Sequence, residues 1–214
     1  MSDKNTELKS NLKDIFKTVL VLVIIACISG GLLGAINAVT YMSEDEILAQ
    51  KMGKVYKADS FINLAKVTEE EYSSLNAVVT EFNKKEGANK SLALLPVKNG
   101  TVEPDTVIYR CYGAGDYDCT LLIVVKQNKI TDVSVYGSSA TPGIGDKAYA
   151  DKYVSQFKGI DLLTAKEFDV AKKASKVDNV VEQVAGATKS STAVKNAINT
   201  AMRLHKALFL KEVA

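Results

Sequence analysis

The densest cluster of reactive side chains reads Val184-Ala185-Gly186-Ala187-Thr188-Lys189-Ser190-Ser191-Thr192. Four hydroxyls fall in the five positions from 188 to 192, directly after a glycine and an alanine and directly before a long amphipathic run. A helix start gathers backbone N–H groups without intrahelical acceptors and the positive end of the helix dipole, so it attracts anions. Gly186 and Ala187 carry almost no side chain, which lets the backbone approach a bulky phosphate. Thr188, Ser190, Ser191 and Thr192 would then present hydroxyls around it. A helix capped by Ser or Thr with nothing bound fits the same pattern. The spacing of a P-loop is missing, so nucleotide hydrolysis is not indicated.

A second stretch, Thr141-Pro142-Gly143-Ile144-Gly145-Asp146-Lys147, follows the last of three strand-like segments. A proline with two glycines makes a rigid turn whose backbone can lie flat against a planar ligand. A plain strand-to-helix connection capped by Asp146 is the competing reading.

Composition narrows the remaining chemistry. The 214 residues carry a formal charge of +2 without a basic patch, so nucleic acid is not an expected partner. One histidine, His205, and three cysteines without a Cys-x-x-Cys pair leave no metal site. No catalytic acid, base or nucleophile stands out. His205 reads as surface or packing, and Lys147 and Lys189 as solvated lysines or as partners for an anionic ligand. Cys111 and Cys119 flank the sequence YGAGDYD and would approach each other if their strands pair, as a disulfide or as two buried thiols.

The elements that must position these residues divide at an apolar segment. No charged residue occurs from Thr18 to Ser43, and residues 18–41 exceed the roughly 20 apolar positions that cross a bilayer. Ile28 and further apolar sequence follow Cys27, which argues against a lipoprotein signal; a cleaved signal peptide would have a shorter apolar stretch. Lys4, Lys9, Lys13 and Lys17 precede the segment and Lys51 is the first basic residue after it, so the N-terminus is expected in the cytoplasm. Gly30, Gly31 and Gly34 offer a small-residue face to another helix. Four regions follow: 1–17 cytoplasmic, 18–41 transmembrane, 42–104 a helical linker with the beginning of an extracytoplasmic domain, and 105–214 the site-bearing domain. Helices are expected over 43–56, 68–85, 146–157 and from 191 onward. Strands are expected over 106–113, 119–127 and 129–137, the last two joined by a hairpin turn at KQNK. The fold class is α+β, an antiparallel sheet with flanking helices behind one membrane helix.

The two loops together resemble the bacterial FMN-binding domain family: TPGIGDK is similar to its Thr-Pro-Gly-aliphatic-Gly loop, and EQVAGATKSS to its Asp-x-x-Ser-Gly-Ala-Thr-x-Ser/Thr signature. Ala140, Glu182 and Ala185 depart from that pattern. The resemblance implies FMN joined through its phosphate to the Thr188 hydroxyl, with Gly186, Ala187, Ser190, Ser191, Thr141, Pro142, Gly143, Ile144 and Gly145 around it. It also implies a separate flavin transferase for maturation. One span before one such domain is similar to the G subunits of Rnf complexes. The implied role is an electron-carrying subunit of a membrane-bound, ion-translocating ferredoxin:NAD+ oxidoreductase, partnered by other subunits and by membrane lipid. The matching subunit of a sodium-translocating NADH:quinone oxidoreductase, or a membrane-tethered module that binds a phosphate ligand reversibly, are the alternatives.

Overall fold

A computed structural model describes residues 2–86, 91–175 and 179–210, with side chains from residue 15 onward. Two compact units result, Met1–Ile47 and Leu48–Ala214. The first is dominated by helix α1 (Ser2–Thr40). Its part Ile15–Thr40 is long and apolar enough to cross a membrane, and none of it is buried in the protein. Helix α2 (Glu44–Val55) opens on a reciprocal capping box, with Ser43 N–H donating to Glu46 Oε2 at 2.8 Å and Glu46 N–H to Ser43 Oγ at 3.2 Å.

The second unit is built on an antiparallel sheet. Its strands are β1 (Ser60–Asn63), β2 (Leu92–Lys98), β3 (Thr101–Val102), β4 (Thr106–Gly113), β5 (Cys119–Lys126) and β6 (Lys129–Ser138). The spatial order is β1-β2-β4-β5-β6, and β3 pairs with β2. The expected β5–β6 hairpin forms, with Gln127 and Asn128 at φ 49° and 65°, the left-handed pair that matches the twist of flanking strands. Helix α3 (Ser73–Lys85) follows a short 3-10 turn at Glu70–Tyr72, so it starts later than its acidic approach suggests.

The expected helix over 146–157 is instead broken into a 3-10 turn Gly145–Tyr149, a one-turn helix α4 (Asp151–Val154) and a second 3-10 turn Ser155–Phe157. Ala150 interrupts it with extended backbone (φ −65°, ψ 146°), and Ala148, Tyr153, Val154 and Phe157 are all buried. Strands β7 (Asp169–Ala171) and β8 (Val180–Glu182) form a separate parallel pair. Helix α5 (Thr188–Leu210) closes the described chain.

Alternation along the strands divides the core. Val107, Tyr109 and Cys111 of β4, with Leu121, Ile123 and Val125 of β5, pack against Ala193, Val194, Ala197, Ile198 and Ala201 of α5. The opposite face, with Ile108, Leu122 and Val124, is covered by Leu48 and Met52 of α2. Cys111 and Cys119 are free, buried thiols. They are not register partners: Cys111 faces Leu121 and Cys119 faces Gly113. Burial pushes each thiol up to about 12, so neither ionises at neutral pH.

Candidate functional site

Both motifs fold as glycine-dependent turns. In the first, Ala187 N–H donates to Val184 C=O at 2.9 Å, and Gly186, third residue of the turn, sits at φ +77°. In the second, Ile144 N–H donates to Thr141 C=O at 3.3 Å, with Pro142 second and Gly143 third at φ +79°. Proline followed by a residue of positive φ is the type II signature. Asp146 secures the second turn by accepting the Gly143 N–H at 2.9 Å.

The four hydroxyls have different fates. Ser191 N–H donates to Ala187 C=O at 2.9 Å, the first helical bond, which makes Ala187 the capping position and Thr188 the first helical residue. Ser191 Oγ is buried and accepts the Val184 N–H at 3.1 Å, tying the turn to the helix. Thr192 Oγ1 donates back to Thr188 C=O at 3.0 Å. Ser190 is fully buried, and its Oγ makes no hydrogen bond of ordinary geometry, although the Tyr149 hydroxyl lies close enough to feel it. Burial raises the Tyr149 phenol, an effect the Ser190 and Ser138 hydroxyls partly oppose. Of the four residues only Thr188 is exposed, and it stands first in the helix.

The motifs meet although they lie far apart in sequence. A Cβ placed on Gly145 would fall 2.7 Å from Ser190 Oγ and 2.8 Å from Ala140 Cβ, so only glycine lets the loop settle on the helix. Thr141, Pro142 and Gly143 stay exposed, and Ile144 projects from the loop with 56% of its surface exposed. The two turns are therefore joined at the first turn of α5 through the Gly145–Ser190 contact. Ser190 and Ser191 are turned inward as supports.

Sequence reasoning missed a third component, the β4–β5 hairpin tip. A Cβ on Gly113 would lie 1.9 Å from Ala193 O and 2.7 Å from Ala197 N, so the strand end rests directly on the α5 backbone. Asn196 Nδ2 donates to Ala114 C=O at 2.6 Å, and Ser139 N–H to Asp118 C=O at 3.0 Å, which links the tip to α5 and to the end of β6 ahead of the Thr141 turn. Lys189 pairs with Asp116 at 3.0 Å, and this hydrogen-bonded carboxylate raises its ammonium. The glycines of YGAGDYD were the available signal.

A cavity of about 570 Å³ opens beside the helix start, lined by Lys147, Ala150, Lys152, Tyr153, Gln156, Glu182, Gln183 and Val184. That volume lies within the range of small-molecule pockets. Tyr153 borders it; burial pushes its phenol up to about 12 against the opposing Ser191 hydrogen bond. His205 lies far along α5 and has a packing role. Its Nδ1 is 2.7 Å from the Tyr109 hydroxyl and its Nε2 3.2 Å from Asn128 Oδ1, and burial lowers it to about 4. Among the described residues no group of His, Cys, Asp and Glu could hold a metal ion.

The arrangement suits a phosphate monoester. The N–H groups of Thr188, Lys189 and Ser190 have no acceptor within the helix, Gly186 leaves the approach clear, and the exposed hydroxyl lies at the same point.

The FMN-binding domain family matches residues 114–203, a stretch that contains the hairpin tip and both turns. The chain is 28% identical over 123 residues to the G subunit of the ion-translocating oxidoreductase complex of Buchnera aphidicola subsp. Baizongia pistaciae, covering 56% of this chain. It spans about half the length of that relative, 53%. Among solved structures, NqrC of Shewanella oneidensis aligns at 24% identity over 58% of this chain and 61% of its own, with a TM-score of 0.45. The C subunit of the Na(+)-translocating NADH-quinone reductase from Parabacteroides distasonis aligns at 19% over 72% and 77%, with a TM-score of 0.44. The stretch that is similar to the FMN-binding domain family, residues 114–203, thus holds the hairpin tip and both glycine turns.

Proposed function

We propose that the chain is the electron-carrying subunit of an Rnf-type ion-translocating oxidoreductase, with FMN esterified to Thr188. The observation that carries this reading is the position of Thr188. It is the exposed residue of the cluster, it opens a 23-residue helix, and it directly follows the Gly186 turn. FMN, when bound, supplies reversible one- or two-electron transfer.

The chain's own residues hold and orient. The helix-start amides receive the phosphate oxygens, the Thr141–Gly145 turn offers a flat backbone and an exposed aliphatic side chain, and the Asp116–Lys189 pair steadies the neighbouring tip. Attachment requires a transferase and FAD. Thr188 Oγ1 would accept the FMN phosphoryl group, with the FAD pyrophosphate bond broken, AMP as the leaving group and the hydroxyl proton released. A tether of this kind keeps the cofactor on a domain facing dilute extracytoplasmic solution. The lysines before the apolar segment support that orientation, and Ile15–Thr40 supplies the anchor. The apolar segment contains no ionisable residue from Thr18 to Ser43 other than Cys27 and Tyr41, so ion movement belongs to multi-span partner subunits.

The test is denaturing electrophoresis of the full chain coexpressed with a flavin transferase. A fluorescent flavin band that disappears in Thr188→Val supports the covalent carrier. Flavin released on denaturation would instead establish reversible binding, and a colourless protein would remove the flavin role.

A further inference from the structure

The sheet face turned away from α5 carries polar groups that the FMN end does not use. Leu92, Arg110, Leu122 and Ser134 form one row across β2, β4, β5 and β6, each the register partner of the next. Under α2 this face is apolar, with Leu94, Ile108 and Val124 among its members. Beyond that cover it becomes polar. Arg110 reaches across Leu122, because its Cζ lies 5.3 Å from the ring centroid of Tyr136, a residue of β6. That reach spans two strand spacings, about 10 Å. Lys51 of α2 places its Nζ 4.2 Å from the same centroid and donates to the Tyr136 carbonyl.

Two polar atoms in this cluster are orphans. Arg110 Nε and Ser134 Oγ are buried and have no hydrogen-bond partner. Neither Arg110 nor Lys51 has a carboxylate partner among the described residues. The acids on this side are engaged elsewhere: Asp132 pairs with Lys158 at 2.6 Å, and Asp118 accepts the Tyr112 hydroxyl. A buried guanidinium N–H without an acceptor is costly, and native structures nearly always supply one. Two cations and a hydroxyl arriving from three different elements match an oxyanion that has several acceptor oxygens in three dimensions.

We propose that Arg110, Lys51 and Ser134 form a second anion site, separate from the FMN end, that takes a phosphate group. Inorganic phosphate and the headgroup phosphate of an anionic lipid share this chemistry, and the experiment separates them.

The chain contains two arginines, Arg110 and Arg203. Arg203 is held by Glu86, with Nε to Oε1 at 3.0 Å, and by Glu167 at 2.9 Å, so it serves as an internal reference. The full chain, labelled with 15N-arginine in neutral detergent, gives two Nε–H signals. Titration with inorganic phosphate is expected to move the Arg110 signal to saturation and leave Arg203 in place. Removing one charge-assisted or neutral donor, in Lys51→Met or Ser134→Ala, should weaken that response about tenfold. In phosphate-free nanodiscs, a shift on adding phosphatidylglycerol to phosphatidylcholine identifies the lipid as the source; a shift with free phosphate alone identifies the soluble ion. An Arg110 signal unmoved in both arms, or moved equally by acetate and chloride, overturns the site and leaves buried water as the partner.

Discussion

Gly145 sits against Ser190 so closely that the space for a side chain at 145 is already taken by the serine hydroxyl, 2.7 Å from where a Cβ would stand. This contact fixes the Thr141–Gly145 turn on the first turn of α5. Gly145→Ala should therefore destabilise the domain by about 1–3 kcal/mol, the usual cost of overpacking. Ser190→Ala removes the atom in the way and should recover part of that loss. The Ala140 clash at 2.8 Å remains, so recovery stays partial. Urea unfolding of both single variants and the double variant gives the coupling energy; strict additivity would contradict the contact.

Gly113 is less forgiving. Its missing Cβ would meet the Ala193 carbonyl and the Ala197 amide, which are main-chain atoms in the middle of a helix. Gly113→Ala should cost more than Gly145→Ala, about 3 kcal/mol or more, with no single side-chain substitution that rescues it. Chemical denaturation of the two variants side by side tests the ranking.

His205 gives stability a pH dependence that can be assigned to one residue. Its folded-state value is lowered to about 4 by burial, against about 6.5 in the unfolded chain. A lowered imidazole is neutral in the fold, so its contribution is fully present above the unfolded value. It is lost as pH falls from about 6.5 toward 4, because the unfolded chain takes up the proton first. The loss reaches about 3 kcal/mol at the acid end. His205 is the sole histidine, so one imidazole NMR signal follows the titration directly. A midpoint near 6.5 would refute burial as the cause.

The thiols Cys111 and Cys119 are buried and pushed up to about 12. At pH 8 neither should be alkylated by iodoacetamide in the folded protein, and both should react in denaturant. Mass spectrometry of the single tryptic peptide that carries both, residues 111–126, counts the labels, and rapid labelling of the native chain would show that the core opens there.

Much of this domain was readable beforehand for local reasons. The α5 start is legible because a turn that requires positive φ at Gly186 is followed at once by an amphipathic run, and β4, β5 and β6 because period-two and apolar patterns depend on immediate neighbours. The Gln127–Asn128 hairpin follows from turn chemistry. Strand β2 was missed because Pro96 interrupts LALLPVK. The pairing of β2 with β4 ends at Leu94, so the absent N–H of Pro96 breaks no bond of that ladder. The helix over 146–157 was overextended because helical spacing persists across Ala150, whose extended backbone turns both halves toward the core. The Asp116–Lys189 and Gly145–Ser190 relationships join distant parts of the chain, and no window of sequence contains them.

Ala187 occupies the position where helices usually carry a serine, threonine, aspartate or asparagine. Its methyl group offers the N–H groups of Thr188, Lys189 and Ser190 nothing to bond, and the chain forgoes about 1 kcal/mol of helix stability as a result. A hydroxyl there would compete with an incoming phosphate for the same amides. The omission leaves those amides without a partner in the helix next to the exposed Thr188, so that in the proposed holoprotein the guest, not the host, would complete the helix.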